Sequence, residues 1–183
     1  MQYVIAITNR KLVKGDYLER LKKIAAEKPY GMILREKDLS DTEYEKFAEE
    51  VMRICDEAGV TFFIHSKTQI AKKLHCTNIH LSVNDLSDTI RNDFHRISVS
   101  CHSMEDVKRA EKFGATQIVL GTIFETECKK GLKGRGLGFV EEICAATELP
   151  VYAIGGISPD NLQAVKKAGA KGGCMMSYLL RDF

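Results

Sequence analysis

Short apolar runs alternate along this chain with longer stretches in which apolar residues recur every three or four positions. The runs at residues 60–64 and 117–120 have the length and composition of buried parallel strands. Stretches such as residues 41–59 carry a single apolar stripe, which predicts an amphipathic helix. The alternation occurs eight times and predicts strands at residues 3–8, 32–34, 60–64, 78–81, 96–100, 117–120, 151–154 and 173–176.

Strands that alternate with helices in this way predict an α/β protein with a parallel sheet. Eight repeats favour closure into a (β/α)8 TIM barrel. The barrel would be compact, because this chain has 183 residues and such barrels usually have about 200 to 250. The last helix would be truncated, since few residues follow the eighth strand. An open doubly wound sheet is the alternative, but Thr8, Asn9 and Arg10 follow the first strand in place of a Gly-x-Gly-x-x-Gly motif. We expect residues 1–183 to form a single domain.

The overall composition excludes several classes of partner. The net charge of +2 gives no protein-wide field that would attract nucleic acid or a membrane surface. The apolar runs are far too short to span a bilayer, and no signal peptide is apparent. The six cysteines form no Cys-x-x-Cys pair, which favours reduced thiols over a disulfide framework or a zinc site. We therefore expect a cytoplasmic protein that binds neither nucleic acid nor a membrane.

In TIM barrels the functional residues lie just after the carboxyl ends of the strands. In this chain those positions hold cations, hydroxyl groups, histidines and glycines that would leave backbone N–H groups exposed. Such a set suits a phosphate or diphosphate better than an apolar ligand. The candidates are Arg35, Lys37, His65, Asp85, Ser100, His102, residues 122–129, Gly155, Gly156 and Ser177.

Gly155 and Gly156 after the seventh strand, with Ser177 after the eighth, are the most specific indication. Phosphate sites in this fold commonly use the loops after strands seven and eight. The alternative is that two glycines only make a tight turn. Arg35 and Lys37 lie two positions apart, so an extended segment would direct both side chains the same way. The alternative for them is a solvated charged triplet.

A second group of positions carries candidate metal and acid–base chemistry. Asp85 could bind a magnesium ion that bridges phosphate oxygens, or it could cap a helix. His65 and His102 are placed for acid–base work just past strand ends. The other histidines are expected to have no chemical role. His80 is expected inside the barrel, and His75 and His95 are expected at the surface.

The loop at residues 120–138 has no periodicity of its own and carries two acids, two hydroxyls, a thiol and four cations. Such a loop is typical of an anionic-ligand site, and the alternative is a solvated basic loop. Cys128 lies beside Lys129 and Lys130, which would lower its pKa. Nothing else in the sequence indicates a covalent nucleophile.

With these residues in view, nearly the whole chain resembles the thiamin phosphate synthase/TenI superfamily. Each matching piece is weakly specific alone, but six pieces in register are specific. They are residues 34–37 (Leu-Arg-Glu-Lys), 79–81 with Asp85, 99–103, 121–126, 154–157 and 176–177. The run Phe-Glu-Thr-Glu-Cys-Lys-Lys-Gly at residues 124–131 is closer to the TenI branch than to the synthase.

The resemblance implies a site for a thiazole phosphate, in which Gly155, Gly156 and Ser177 would hold the phosphate. In the synthase, a pyrimidine diphosphate and magnesium occupy the rest of the site. The positions that match the synthase residues for these groups are Arg35, Lys37, Asp85, Ser100, Thr126 and Lys129.

Several positions depart from the synthase pattern. Ile33 replaces the glutamine that opens the Gln-x-Arg-Glu-Lys motif, and Cys128 replaces a threonine. His65 and Ser66 replace an Asn-Asp pair, which removes one of two magnesium-binding carboxylates. Because the synthase must stabilise a departing diphosphate, these losses should weaken its chemistry.

The TenI branch includes a thiazole tautomerase, which needs the phosphate site and an acid–base group but no metal. The resemblance would place its catalytic histidine at residue 122, where this chain has Thr122. His65 or His102 would then have to act instead. The resemblance therefore implies a TenI-like thiazole tautomerase first, a magnesium-dependent thiamin phosphate synthase as one alternative and a non-catalytic, phosphate-binding or regulatory protein as the other.

The chain end also bears on assembly. A barrel short of one helix would expose apolar surface, which favours a homo-oligomer. The expected contacts are Leu179, Leu180 and Phe183.

Overall fold

A computed structural model describes residues 1–126, 131 and 133–182. The parallel strands within these residues follow one another in the order β1 to β8 around a closed barrel. They are β1 Val4–Ile7, β2 Gly31–Leu34, β3 Thr61–His65, β4 Asn78–Ser82, β5 Arg96–Cys101, β6 Gln117–Gly121, β7 Val151–Ile154 and β8 Gly172–Met175. The predicted (β/α)8 TIM barrel is confirmed.

The helices that the structure describes alternate with the strands as predicted. They are α1 Tyr17–Ala26, α2 Asp41–Ala58, α3 Thr68–Lys73, α4 Ile90–Asp93, α5 Met104–Lys112, α6 Gly136–Ala146 and α7 Pro159–Lys167. Short 3-10 turns lie at Arg10–Leu12 and Val83–Asp85, and a five-residue π-helix, Tyr178–Asp182, follows β8. That the last helix is truncated stays a prediction.

The chain divides into two compact units. The first unit comprises residues 1–80 together with the chain from Met176 onward, and the second comprises residues 81–175. In the first unit β1, β2 and β3 are joined in parallel, with Ile5 opposite Gly31 and Gly31 opposite Thr61. In the second unit β5 to β8 are joined in the same way. That both units belong to one domain stays a prediction.

Local signals explain where the helices begin and end. Helix α2 begins after Ser40, whose hydroxyl and the Glu43 carboxylate form a capping box, and it ends at Gly59 in the left-handed conformation. Helix α5 begins after Ser103, whose hydroxyl accepts a hydrogen bond from Asp106 N–H. These caps fix the points at which the strand ends give way to helices.

Leu179 and Leu180 are wrong as the expected contacts of a homo-oligomer, whose existence stays a prediction. Leu179 and Leu180 are 0% and 1% exposed within the chain's own fold, so they do not offer an apolar surface for a second copy. Phe183 lies outside the described residues. The compact π-helix directs both leucines inward, which a count of missing helical turns does not reveal.

Two findings bear on the remaining expectations from composition. Among the described residues, no helix has the length and apolar character needed to cross a membrane. The five described cysteines are free thiols, and Cys128 lies outside the described residues.

Candidate active site

In the first unit, the segment that follows β2 alternates cations with acids. Arg35 is half-buried and Lys37 is exposed, whereas Glu36 between them is only 2% exposed. The Glu36 carboxylate accepts hydrogen bonds from the Thr8 hydroxyl at 2.8 Å and from the Tyr17 hydroxyl at 2.7 Å. The acid between the two cations is therefore anchored, and a common direction of the Arg35 and Lys37 side chains stays a prediction.

Arg10 ties the same segment to the turn after β1. Its guanidinium forms two hydrogen bonds with Asp38, at 2.7 and 2.8 Å, and lies 3.3 Å from the Glu36 carboxylate. Its backbone N–H also donates to both Glu36 oxygens at 3.1 Å. Hydrogen bonds from Arg10 and Lys11 hold the pKa of Asp38 well below its usual range. Both acids of the segment are thus fixed by one arginine.

Burial decides the protonation of Tyr17. Its pKa is raised, first by burial and then by the neighbouring Glu36 carboxylate. The phenol therefore stays protonated and donates its hydrogen bond to Glu36. The hydroxyl that sequence reasoning overlooked is part of the support beneath Arg35 and Lys37.

His65 and His80 form a pair on β3 and β4. They are register partners, and their ring centroids lie 5.6 Å apart at an interplanar angle of 32°. His80 is buried as expected, and its pKa is lowered to about 3, first by burial and then by the charges of His65 and Arg35. His65 is half-buried, and its backbone N–H donates to the Tyr44 hydroxyl at 3.1 Å. The pair therefore combines a neutral interior imidazole with a second one at the strand end.

In the second unit, Asp85 closes the 3-10 turn after β4. Its Oδ2 accepts hydrogen bonds from the Ser82 hydroxyl at 2.8 Å and from Ser82 N–H at 3.3 Å. In the part of the chain that the structure describes, no group of three or more His, Cys, Asp or Glu side chains could hold a metal ion. Magnesium is commonly held by one or two carboxylates together with substrate phosphates. The described residues therefore fit only a magnesium site that is completed by substrate phosphates, in which Asp85 is the single carboxylate.

His102 lies just beyond β5 and is tied to the end of β6. Its ring Nδ1 is 2.7 Å from the Gly121 carbonyl oxygen. Because a carbonyl oxygen only accepts, Nδ1 carries the proton, and the neutral ring then has its lone pair on Nε2. Arg135 Nη1 donates to the His102 carbonyl at 2.5 Å, and the guanidinium stacks at 3.3 Å on the Phe139 ring. The exposed imidazole is thus held in the tautomer that a base requires.

Ser100 is placed by the β5–β6 register. It pairs with Val119 two residues beyond the pair of Ser98 and Gln117, both of which are buried. Residues two apart in a strand point to the same face. Ser100 therefore continues the face of Ser98 at the carboxyl end of β5.

Gly155 and Gly156 form the turn between β7 and α7. Their φ angles are +102° and +62°, in the region that favours glycine. Gly155 is half-buried and Gly156 is exposed, and neither N–H donates a hydrogen bond to another residue that the structure describes. Asn161 Nδ2 donates to the Gly156 carbonyl at 2.8 Å, which fixes the turn against the start of α7.

The same glycines are crowded by the segment that follows β6. A Cβ at Gly155 would overlap Thr122 Cγ2, and one at Gly156 would lie 2.7 Å from the Glu125 carbonyl oxygen. Phe124 N–H donates to the Gly155 carbonyl at 3.0 Å. Thr122 is therefore buried with its methyl group toward the glycine turn, and close packing contributes to the glycine requirement alongside any ligand.

The remaining predicted residues fall in three places. Thr126 is half-buried at the end of the described part of the β6 loop, and Ser177 is half-buried after β8 in the first unit. Lys129 lies outside the described residues, as do Glu127, Cys128 and Lys130. His75 and His95 are exposed, as expected.

Sequence reasoning missed two groups of supporting residues. Thr8, Tyr17 and the carboxylate of Glu36 support the β2 end, and Arg135 supports His102. The strict alternation of Arg35, Glu36 and Lys37 could have indicated that Glu36 points inward. Nothing local could have indicated its partners, which lie 19 and 28 residues earlier in the chain.

Comparison with known proteins gives consistent results. A family model described as thiamine monophosphate synthase (TMP-TENI) matches residues 4–179. A thiamine-phosphate synthase of Coprothermobacter proteolyticus is 31% identical over 179 residues, which cover 95% of this chain and 85% of the relative. A thiamine-phosphate synthase of Clostridium tetani is 30% identical over 182 residues, with coverage of 95% and 86%.

Solved structures agree on the fold. A thiamine phosphate pyrophosphorylase from Pyrococcus furiosus matches with a TM-score of 0.85 and 24% sequence identity. The match covers 98% of this chain and 88% of the other chain. At this identity, the likeness shows the architecture.

Proposed function

Because this chain belongs to the thiamine monophosphate synthase family, we propose that it synthesises thiamine phosphate by joining a thiazole phosphate to a pyrimidine diphosphate. The observation that carries the proposal is the match of the family model to residues 4–179, a span that includes every candidate residue described above. The names of the relatives favour this alternative over the tautomerase that the sequence first suggested. The reaction would take place in the cytoplasm.

The thiazole phosphate would bind at the Gly155–Gly156 turn. The two N–H groups make no other hydrogen bond among the described residues, and the turn leads into the N-terminus of α7, which favours an anion. Ser158 and Asn161 cap that helix and hold the turn in shape. The phosphate would therefore be held by fixed backbone donors.

Arg35 and Lys37 would bind the diphosphate of the second substrate. The bond between the carbon of the pyrimidine substrate and the diphosphate oxygen breaks as the thiazole nitrogen forms a bond to that carbon. Two cations would stabilise the negative charge that develops on the leaving group. Magnesium, held by Asp85 and phosphate oxygens, would supply further charge neutralisation when bound.

The test uses purified protein with both substrates and magnesium, and it measures thiamine phosphate and released diphosphate. Asp85→Asn is the informative variant, because the asparagine oxygen still accepts the two hydrogen bonds from Ser82 but carries no charge. The matched control is Asp88→Asn, the same change at an exposed position three residues away. We expect product from the wild type and the control and at least about a hundredfold less from Asp85→Asn. A wild type without product at high enzyme concentration would contradict the proposal.

The phosphate site has a test of its own. Inorganic phosphate or thiazole phosphate added to 15N-labelled protein should shift the amide signals of Gly155 and Gly156 more than that of Gly15, a glycine at which an added Cβ would meet nothing within 4 Å. Equal or absent shifts would remove the glycine turn from the site.

The geometry of His102 favours proton transfer, as in a thiazole tautomerase, as a second candidate. With Nδ1 fixed on the Gly121 carbonyl, Nε2 is available as a base. The assay mixes the protein with the non-aromatic thiazole phosphate and follows the ultraviolet absorbance of the aromatic product. The rate of His102→Gln is compared with that of the control His95→Gln, a change at an exposed position. An unchanged rate in His102→Gln would leave His65 as the base. Binding of thiazole phosphate without turnover in either assay would instead indicate a non-catalytic protein.

A further inference from the structure

We propose that Thr8 and Glu36 are positioning residues that set the affinity of Arg35 and Lys37 for diphosphate. This inference rests on the proposed function, in which those two cations bind the diphosphate. Neither Thr8 nor Glu36 would touch the ligand. Both would act through the backbone that carries the cations.

The Thr8 hydroxyl joins two elements with one atom. Thr8 is 1% exposed, donates to the Glu36 carboxylate at 2.8 Å and accepts a hydrogen bond from Arg35 N–H at 2.9 Å. Its single hydrogen is used toward Glu36, so its lone pairs are directed toward Arg35. The backbone of Arg35 is therefore fixed by a side chain on β1's carboxyl end.

A carboxylate is the only side-chain group that satisfies all the donors around Glu36. Its Oε1 accepts from the Thr8 hydroxyl, the Tyr17 hydroxyl and Arg10 N–H, and its Oε2 accepts from Arg10 N–H and Arg10 Nη1. A glutamine would place an NH2 group against one of these donor sets. The buried charge is thus matched by donors from three residues, which is the condition under which a buried carboxylate is tolerated.

This arrangement indicates more than structural support. A buried ionic network is often no more stabilising than apolar residues of the same volume, so stability alone does not account for it. The network holds alternate residues of one short segment. Arg10 contacts Glu36, and Arg10 and Lys11 both contact Asp38 two residues later. Lys37 lies between these two anchors, and Arg35 directly before the first. The backbone at both cations is therefore fixed, which would lower the entropy cost of binding an anion.

The experiment measures binding of inorganic diphosphate by calorimetry to the wild type, Thr8→Val and Thr8→Ser. Thr8→Val keeps the shape and removes the hydroxyl, whereas Thr8→Ser keeps the hydroxyl. We expect Thr8→Val to bind about tenfold more weakly, as for the loss of one organising hydrogen bond, and Thr8→Ser to stay within about twofold of the wild type. Thermal unfolding of each variant shows that it is folded, and Tyr17→Phe, which keeps the ring, serves as a milder variant with a smaller loss.

A double-mutant cycle separates positioning from a general structural effect. In an Arg35→Ala background, the loss caused by Thr8→Val should be clearly smaller than in the wild type, because Thr8 can then act through Lys37 alone. A loss of the same size in that background, or equal affinity of the wild type and Thr8→Val, would overturn the inference alone. A wild type that does not bind diphosphate would overturn the proposed role of Arg35 and Lys37, and the inference with it.

Discussion

His80 should make the free energy of unfolding fall as the pH is lowered below about 6.5. The side chain is buried at 4% exposure, and its pKa in the fold is about 3. In the unfolded chain the same imidazole binds a proton near pH 6.5. Between these two values the unfolded state binds more protons than the folded state, so stability is complete above pH 6.5 and is lost as the pH falls toward 3.

The size of the effect follows from the two pKa values. Each pH unit inside this window changes the free energy by about 1.4 kcal/mol, so this group contributes a loss of about 2 kcal/mol between pH 7.5 and pH 5. The assay is urea unfolding followed by circular dichroism at both pH values. The relevant quantity is the difference between the wild type and His80→Gln, since carboxylates contribute to the pH dependence of both proteins.

We expect His80→Gln to lose about 2 kcal/mol less than the wild type over this interval. His95→Gln, a change at an exposed histidine, should follow the wild type. If the curves of the wild type and His80→Gln are parallel, the imidazole is not held neutral, and the description of the His65–His80 pair is wrong.

Two further predictions concern stability. Gly155→Ala should destabilise the protein by about 1 to 3 kcal/mol more than Gly15→Ala in urea unfolding. The two glycines have similar φ angles, +102° and +98°, but an added Cβ is crowded only at Gly155. Equal losses of stability in the two variants would show that the neighbours of Gly155 move to make room for the Cβ. Burial raises the pKa of Cys101 to about 12, so the unfolded chain releases its thiol proton first, and stability should fall as the pH rises above about 8.5. Cys101→Ala should reduce that slope by up to about 1.4 kcal/mol for each pH unit under reducing conditions, and an unchanged slope would contradict the burial of the thiol.

Periodicity was sufficient to predict the barrel, because the strands and the longer helices carry their patterns within their own residues. The start of α6 was less accessible. The sequence pattern predicts a helix from about Phe139 to Thr147, but α6 begins at Gly136. Glycines are poor helix formers, and the start depends on a hydrogen bond from Gly136 N–H to the Ile123 carbonyl, 13 residues earlier. A tertiary contact thus set a boundary that local propensity could not.

The same distinction applies to the candidate site. The common direction of Arg35 and Lys37 was predicted from strand geometry, but β2 ends at Leu34 and Lys37 lies in a turn, so it stays a prediction. The roles of Thr8, Tyr17 and Arg10 depend on which elements lie side by side, and no spacing rule contains that information. For Leu179 and Leu180 the sequence showed that the side chains are apolar, but it did not show that the chain's own fold buries them.

Gly155 shows why a residue type can fit two explanations at once. Its missing Cβ is required by Thr122, which would occupy the same space, so a glycine would be needed here even if no phosphate ever bound. What the packing does not explain is the pair of N–H groups at residues 155 and 156, left without a partner among the described residues at the start of α7. A glycine-to-alanine variant disturbs both features together, and its loss of phosphate binding would not separate them. The amide signals of the unmodified turn respond to the donors alone, and for this reason they are the decisive measurement for the phosphate site.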